Sequence, residues 1–128
     1  MPPGIAEMLP QLANANGALL RRGRFLEVTF LLEIGDRAYL VRIHRGRIEA
    51  MAPGPHTQPR WTFALRAAAP AWAQFWQPVP PPGAHDLMAM LKRGDLRLEG
   101  DLHPFMANLR YFKELLALPR AAGAQEGR

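Results

Sequence analysis

The sequence predicts an α+β domain: a five-stranded mixed, mostly antiparallel sheet with helices layered on one face. Two features carry that prediction. Between residues 25 and 66, short segments alternate apolar and polar residues, the period of a strand with one buried face, and turn residues separate them. From residue 70 onward apolar residues recur at three and four positions, the period of a helix, interrupted by the proline run at 78–83 and the alternating LRLE at 96–99. At 128 residues the chain suits one domain with one core.

Taken in order, Ile5, Met8, Leu9 and Leu12 share one face of a short N-terminal helix that Pro10 weakens, and Asn16-Gly17 reads as a turn. In FLEVTFLLEI, residues 25–34, Leu26, Val28, Phe30, Leu32 and Ile34 fall on one side, with Glu27, Thr29 and Glu33 on the other. Gly35-Asp36 supplies a two-residue hairpin turn. The returning RAYLVRIH turns Tyr39, Val41 and Ile43 inward and Arg42 and His44 outward. Arg45-Gly46 leads into RIEAMA, a weaker third strand, and residues 52–59 form a loop by composition. RWTFALR, residues 60–66, makes a fourth strand with Trp61, Phe63 and Leu65 inside and Arg60, Thr62 and Arg66 outside.

That apolar face needs a cover, because a sheet buries its greasy side against another layer. Trp72, Phe75 and Trp76 sit at i, i+3 and i+4 of a short helix with Pro70 in its first turn, where proline is tolerated. PVPPPG, residues 78–83, is a stiff extended connector. Ala84, Leu87, Met88 and Leu91 predict a second helix that stops at Gly94, before the fifth strand LRLE. Asp101 and Pro104 suit the start of a last helix carrying Phe105, Leu109, Phe112 and Leu116, with Met106, Tyr111 and Leu115 on its flanks. A frayed tail is expected after Pro119. The chain thus divides into an N-terminal helical segment (1–20), a main domain (21–118) and a flexible tail (119–128).

Composition excludes several functions. With no cysteine there is no disulfide, thiol nucleophile or cysteine metal site, which fits a cytoplasmic address. No apolar run reaches the roughly 18 residues of a membrane span, and the N-terminus lacks the pattern of a signal peptide. The Ala, Arg, Gly and Pro bias suggests a bacterial origin. His44, His56, His85 and His103 show no metal-ligand spacing, and neither G-x-S-x-G nor a P-loop is present. His85 and Asp86 are adjacent on a helix and do not face each other; Asp86 reads as a helix cap. No catalysis, metal or cofactor is therefore expected. The net charge of +5 invites anionic partners. On the fourth strand, however, the aromatic and basic residues point to opposite faces, unlike a base-stacking platform, so no nucleic-acid partner is expected.

The order of these elements resembles the sterol carrier protein family of non-specific lipid-transfer domains. The likeness covers roughly Arg24 to Leu118 and rests on the Gly35-Asp36 hairpin, the helix pair after Trp61–Leu65, and above all GDLRLEGDL at 94–102. The resemblance implies an apolar cavity or tunnel between sheet and helices. It also implies a lipid ligand (fatty acyl, sterol-like or prenylated quinone precursor), and for some bacterial members an accessory role beside an enzyme of ubiquinone biosynthesis. Under it the cavity would be lined by Phe30, Leu32, Tyr39, Val41, Trp61, Phe63, Trp72, Phe75, Met88, Met90, Leu91, Phe105, Met106, Leu109 and Phe112. Met90 alone lies off the main apolar stripe of its helix. Methionine's flexible thioether suits irregular ligands. Arg42, His44, Arg60 and Arg66 on the outer sheet face form a candidate contact surface for an anionic membrane, a lipid-modifying enzyme or a second copy in a homodimer. Arg21, Arg22 and Arg24 make a second basic cluster. The proline run and its preceding tryptophans depart from the family pattern, and the terminal Glu126-Gly127-Arg128 is not a peroxisomal address.

Overall fold

The computed structural model describes residues 6–56 and 59–126. Ile5, residues 57–58 of the expected loop and residues 127–128 of the expected tail lie outside them. Strands β1 (Glu27–Ile34), β2 (Arg37–His44), β3 (Arg47–Pro53), β4 (Phe63–Ala67) and β5 (Leu96–Gly100) form one sheet in the order β3-β2-β1-β4-β5. Only β1 and β4 run parallel, placing Phe30 beside Phe63 and Leu32 beside Leu65. The other three pairs are antiparallel.

Turn chemistry sets the register. Ile34 pairs with Arg37, so Gly35-Asp36 is a two-residue turn with Gly35 at φ +64°. His44 pairs with Arg47 across Arg45-Gly46, where both residues have positive φ. Between β2 and β3, Arg42 faces Ala50 and Ile43 faces Ile48, leaving Glu49 as the extra residue of a bulge. Strand β4 starts at Phe63, two residues later than the predicted inward alternation from Trp61.

The helices are α1 (Leu9–Asn14, after a 3-10 turn at Ala6–Met8), α2 (Gly17–Arg22), α3 (Ala69–Phe75), α4 (Leu87–Arg93), α5 (His103–Ala107) and α6 (Leu109–Glu126). Several differ from the sequence reading. Asn16-Gly17 is not a free turn: the Asn16 side chain accepts the Leu19 amide at 3.1 Å and opens α2 as its N-cap. Asn14 reaches β3, donating to Ile48 O at 3.0 Å and accepting from Ile48 N at 2.9 Å, so its amide pairs with the sheet edge as a strand would. Asp86 caps α4 through the Met88 amide, as expected, and Gly94 ends it in the left-handed conformation. Leu87 and Met90 form its buried face, whereas Met88 and Leu91 are half-buried.

The expected single C-terminal helix breaks at Asn108, whose side chain donates to Pro104 O at 2.9 Å. Beyond the break, α6 runs through Pro119 and the expected tail boundary. Proline removes the amide that would bond Leu115 O and normally ends a helix. Two tertiary contacts hold the helix here. The Trp76 indole donates to the neighbouring Leu116 O at 2.7 Å, and Arg120 donates to Phe75 O through Nε at 3.0 Å and Nη2 at 2.9 Å.

Candidate functional site

The interlayer space is filled by rings. Phe30 and Phe63 lie side by side on β1 and β4, stacked with centroids 5.3 Å apart. Phe112 from α6 meets both edge-on at 5.6 and 5.3 Å, the favoured geometry for aromatic quadrupoles. Phe105 from α5 closes the group, 5.6 Å from Phe63 and 5.5 Å from Phe112. A second cluster on α3 stacks Trp72 on Trp76 at 5.2 Å, with Phe75 edge-on to Trp72. The indole nitrogens are satisfied by backbone: Trp72 by Glu33 O at 2.8 Å and Trp76 by Leu116 O. No polar or charged side chain is buried among the described residues.

Of the fifteen predicted lining residues, Phe30, Leu32, Tyr39, Val41, Phe63, Trp72, Phe75, Met90, Phe105 and Phe112 are buried in this one core, and Leu91 and Leu109 pack against it half-buried. Met90, the exception to its helical stripe, is thus among the buried ones. Trp61, Met88 and Met106 stand apart. Trp61 lies ahead of β4, its ring 5.7 Å from the Arg66 guanidinium and close over Gly100, so it does not share the inward face with Phe63. Met88 is half-buried and Met106 is exposed, because the short α5 turns Phe105 inward and its neighbour away.

Tyr39 links this core to the surface. Its ring is buried, while its hydroxyl donates to Glu7 at 3.0 Å in an open cleft of about 460 Å³ lined also by Asp36, Arg37 and His56. Burial first, then the Glu7 hydrogen bond, raise the Tyr39 pKa; Arg37 opposes them.

On the outer face the expected basic patch is largely neutralised. His44 Nδ1 is 3.0 Å from Glu27, Arg42 Nε is 3.0 Å from Glu49, and Arg66 lies 2.9 Å from Glu33 and 3.1 Å from Glu99. The Arg66–Glu99 approach lacks hydrogen-bond alignment and acts by charge alone. Arg60 is exposed and makes no ion pair among the described residues. The face is therefore a cross-strand ladder of opposite charges rather than a cationic surface. Among the described residues no group of three or more His, Asp or Glu side chains is arranged to hold a metal, and no helix is long and apolar enough to cross a membrane.

The sequence matches no protein-family model and no curated protein. Solved structures do match. A crystal structure of sterol carrier protein 2 aligns over 91% of this chain and 94% of its own, at a TM-score of 0.73 and 16% identity. This chain has the sterol carrier protein 2 fold. The same fold aligns with the conserved hypothetical protein TT1886 of Thermus thermophilus over 92% of this chain and 87% of that one, at a TM-score of 0.65 and 14% identity. It aligns with UbiJ-SCP2, a ubiquinone synthesis protein, over 91% and 92%, at a TM-score of 0.59 and 17% identity.

Within this sterol carrier protein 2 fold, three residues outside the predicted lining hold the helical cover in place. Trp76, one turn after Trp72, was legible from the i, i+4 spacing as core. Tyr111 is buried, and its hydroxyl donates to Gly46 O at 2.6 Å, fastening α6 to the β2–β3 turn. Burial pushes its pKa well above the ordinary tyrosine value. Arg120 clamps the end of α3 while stacking on Phe75 at 4.8 Å, and burial lowers its pKa. Nothing in the local sequence marks Tyr111 or Arg120, since both partners are distant backbone carbonyls.

Proposed function

We propose that this domain binds a hydrophobic lipid between the sheet and the α3/α5/α6 cover and carries it without chemistry of its own. The candidate cargo is a fatty acyl, sterol-like or prenylated quinone precursor chain. The observation that carries the reading is the sterol carrier protein 2 fold over nine-tenths of the chain, joined to a core that, among the described residues, holds apolar groups and hydrogen-bonded tyrosines and indoles. Each methylene removed from water gains about 0.8 kcal/mol, and a bilayer offers nearly the same. Walls that merely match the bilayer therefore let cargo pass both ways. In this reading loading parts Phe105 from Phe63, the short α5 moving at the break at Asn108 while α6 stays fastened to the sheet and α3. Tyr39, with its ring in the core and its hydroxyl in the polar cleft, orients the polar end of the cargo.

A second reading is favoured by the ring packing itself. Trp72, Trp76 and Phe105 are buried and in contact with other rings. A permanently filled interlayer would make the domain a non-catalytic accessory module beside a lipid-modifying enzyme, a role to which the name of the matched ubiquinone synthesis protein gives weight. Native mass spectrometry of the purified protein, followed by lipid extraction, separates the two. A defined adduct of one lipid class supports the carrier. An apo mass that stays unchanged after adding fatty acids or quinone precursors supports the accessory module.

A further inference from the structure

One end of the sheet concentrates positive charge that lipid capture leaves without a role. Strands β1 and β4 begin there, β2 and β5 end there, and the Arg45-Gly46 turn starts β3 there. Gly23, closing α2, meets Gly46 in that turn so closely that a Cβ on Gly23 would lie 2.9 Å from the Gly46 Cα and against the Tyr111 ring. The contact sets two arginine-bearing segments side by side. Arg21 and Arg24 lie on one, joined by an Arg24 Nη1 hydrogen bond to Arg21 O at 2.7 Å; Arg45 and Arg47 flank Gly46 on the other. All four are exposed, and none makes an ion pair among the described residues. Of the carboxylates at this end, Glu114 is paired with Arg22 and Arg110, Glu27 lies against His44, and Asp101, after β5 at the far edge of the sheet, accepts from His103 N. Phe25 follows Arg24, 87% exposed, with the Arg24 guanidinium 4.7 Å from its ring centre, and the next residue, Leu26, accepts the Gly46 amide at 3.4 Å.

A lone exposed phenylalanine is ordinary surface. At an end of the sheet that carries four arginines without ion pairs among the described residues, it makes an amphipathic tip. We propose that this tip docks the domain on an anionic lipid bilayer, with Arg21, Arg24, Arg45 and Arg47 at the head-group phosphates and Phe25 in the interface. Charge complementarity names the occupant: guanidinium forks pair with phosphate oxygens, and each basic residue near an anionic leaflet adds measurable attraction. A nucleic acid is served less well, because base stacking draws on several aromatics and the tip has one. The inference rests on the carrier reading for its purpose, since the bilayer would give or receive the cargo; docking itself needs no cargo.

The test is cosedimentation of the full chain with vesicles of phosphatidylcholine alone and of phosphatidylcholine with phosphatidylserine. Binding is expected only to the anionic vesicles, and should fall tenfold or more near ~1 M salt, where the screening length drops to about 3 Å. Arg24→Gln and Arg47→Gln should each weaken it about fivefold, and Phe25→Ala about tenfold, with melting curves unchanged because all three side chains are exposed. Equal binding to neutral vesicles, or variants that bind like the parent, would overturn the proposal. So would capture of a single-stranded oligonucleotide with no vesicle binding. Native mass spectrometry of the same variants keeps the two readings apart: cargo retained while docking is lost supports the tip. A parent chain that docks through these residues yet never loads lipid also supports the tip, and fails the carrier alone.

Discussion

Replacing Phe112 by alanine should reveal whether the interlayer is closed. Phe112 is fully buried and touches four rings, with centroids 5.2 to 5.6 Å away: Phe30, Phe63, Phe105 and Tyr111. Phenylalanine-to-alanine changes in cores cost about 3–5 kcal/mol, the larger values going to sites that cannot collapse. Three of its partners sit on different elements, β1, β4 and α5, and the sheet fixes two of them by register, so collapse is restricted. Edge-to-face pairs add about 0.5–1.5 kcal/mol each beyond area, though these terms overlap with the cavity cost. A loss of about 4–5 kcal/mol follows, read as a drop in urea midpoint at constant slope. For a domain of this size the melting temperature should fall by roughly 12–20 °C. The void left by the ring is apolar, so the variant should regain stability when a fatty acid is added, as binding to the folded state requires. A loss under about 1.5 kcal/mol would refute the reasoning: Phe112 would then line open space, and the interlayer would be a standing tunnel rather than a packed core.

Tyr111→Phe leaves Gly46 O unpaired beneath α6 and should cost about 1–2 kcal/mol. The parent should also lose stability as pH rises through 10, because the folded-state pKa is raised above the ordinary 10.0 and the unfolded tyrosine ionises first; the phenylalanine variant should lose less over that window in an alkaline titration followed by circular dichroism. Arg120→Ala removes the two hydrogen bonds to Phe75 O and should cost about 2 kcal/mol. Lysine at the same position should recover only part of this in a thermal melt, since an ammonium cannot reproduce the fork. Arg66→Ala should cost only about 1 kcal/mol, and the difference from the parent should shrink in high salt, because its partners Glu33 and Glu99 are partly solvated.

Strand periods, most turns and the inward positions other than Trp61 were readable from the local sequence. Alternation in β1 and β2, Gly35-Asp36 and the Asp86 and Gly94 caps are local: a residue's neighbours within a few positions specify period, turn type and cap. Most of the buried rings were legible for the same reason. Features that depend on partners far along the chain were not readable in this way. Strand order is one case, since the parallel β1–β4 pairing is fixed by how the chain crosses back from β3. The passage of α6 through Pro119 is another; a proline halts an isolated helix, and here Trp76 and Arg120 bind it to α3. The Trp61 ring left the inward set because β4 begins only at Phe63, and the outer Arg42 and Arg66 are paired because the sheet sets Glu49, Glu33 and Glu99 against them. The tip at Phe25 belongs to the same class. Its two arginine-bearing segments are about twenty residues apart in sequence and meet only because neither Gly23 nor Gly46 has a side chain to hold them apart.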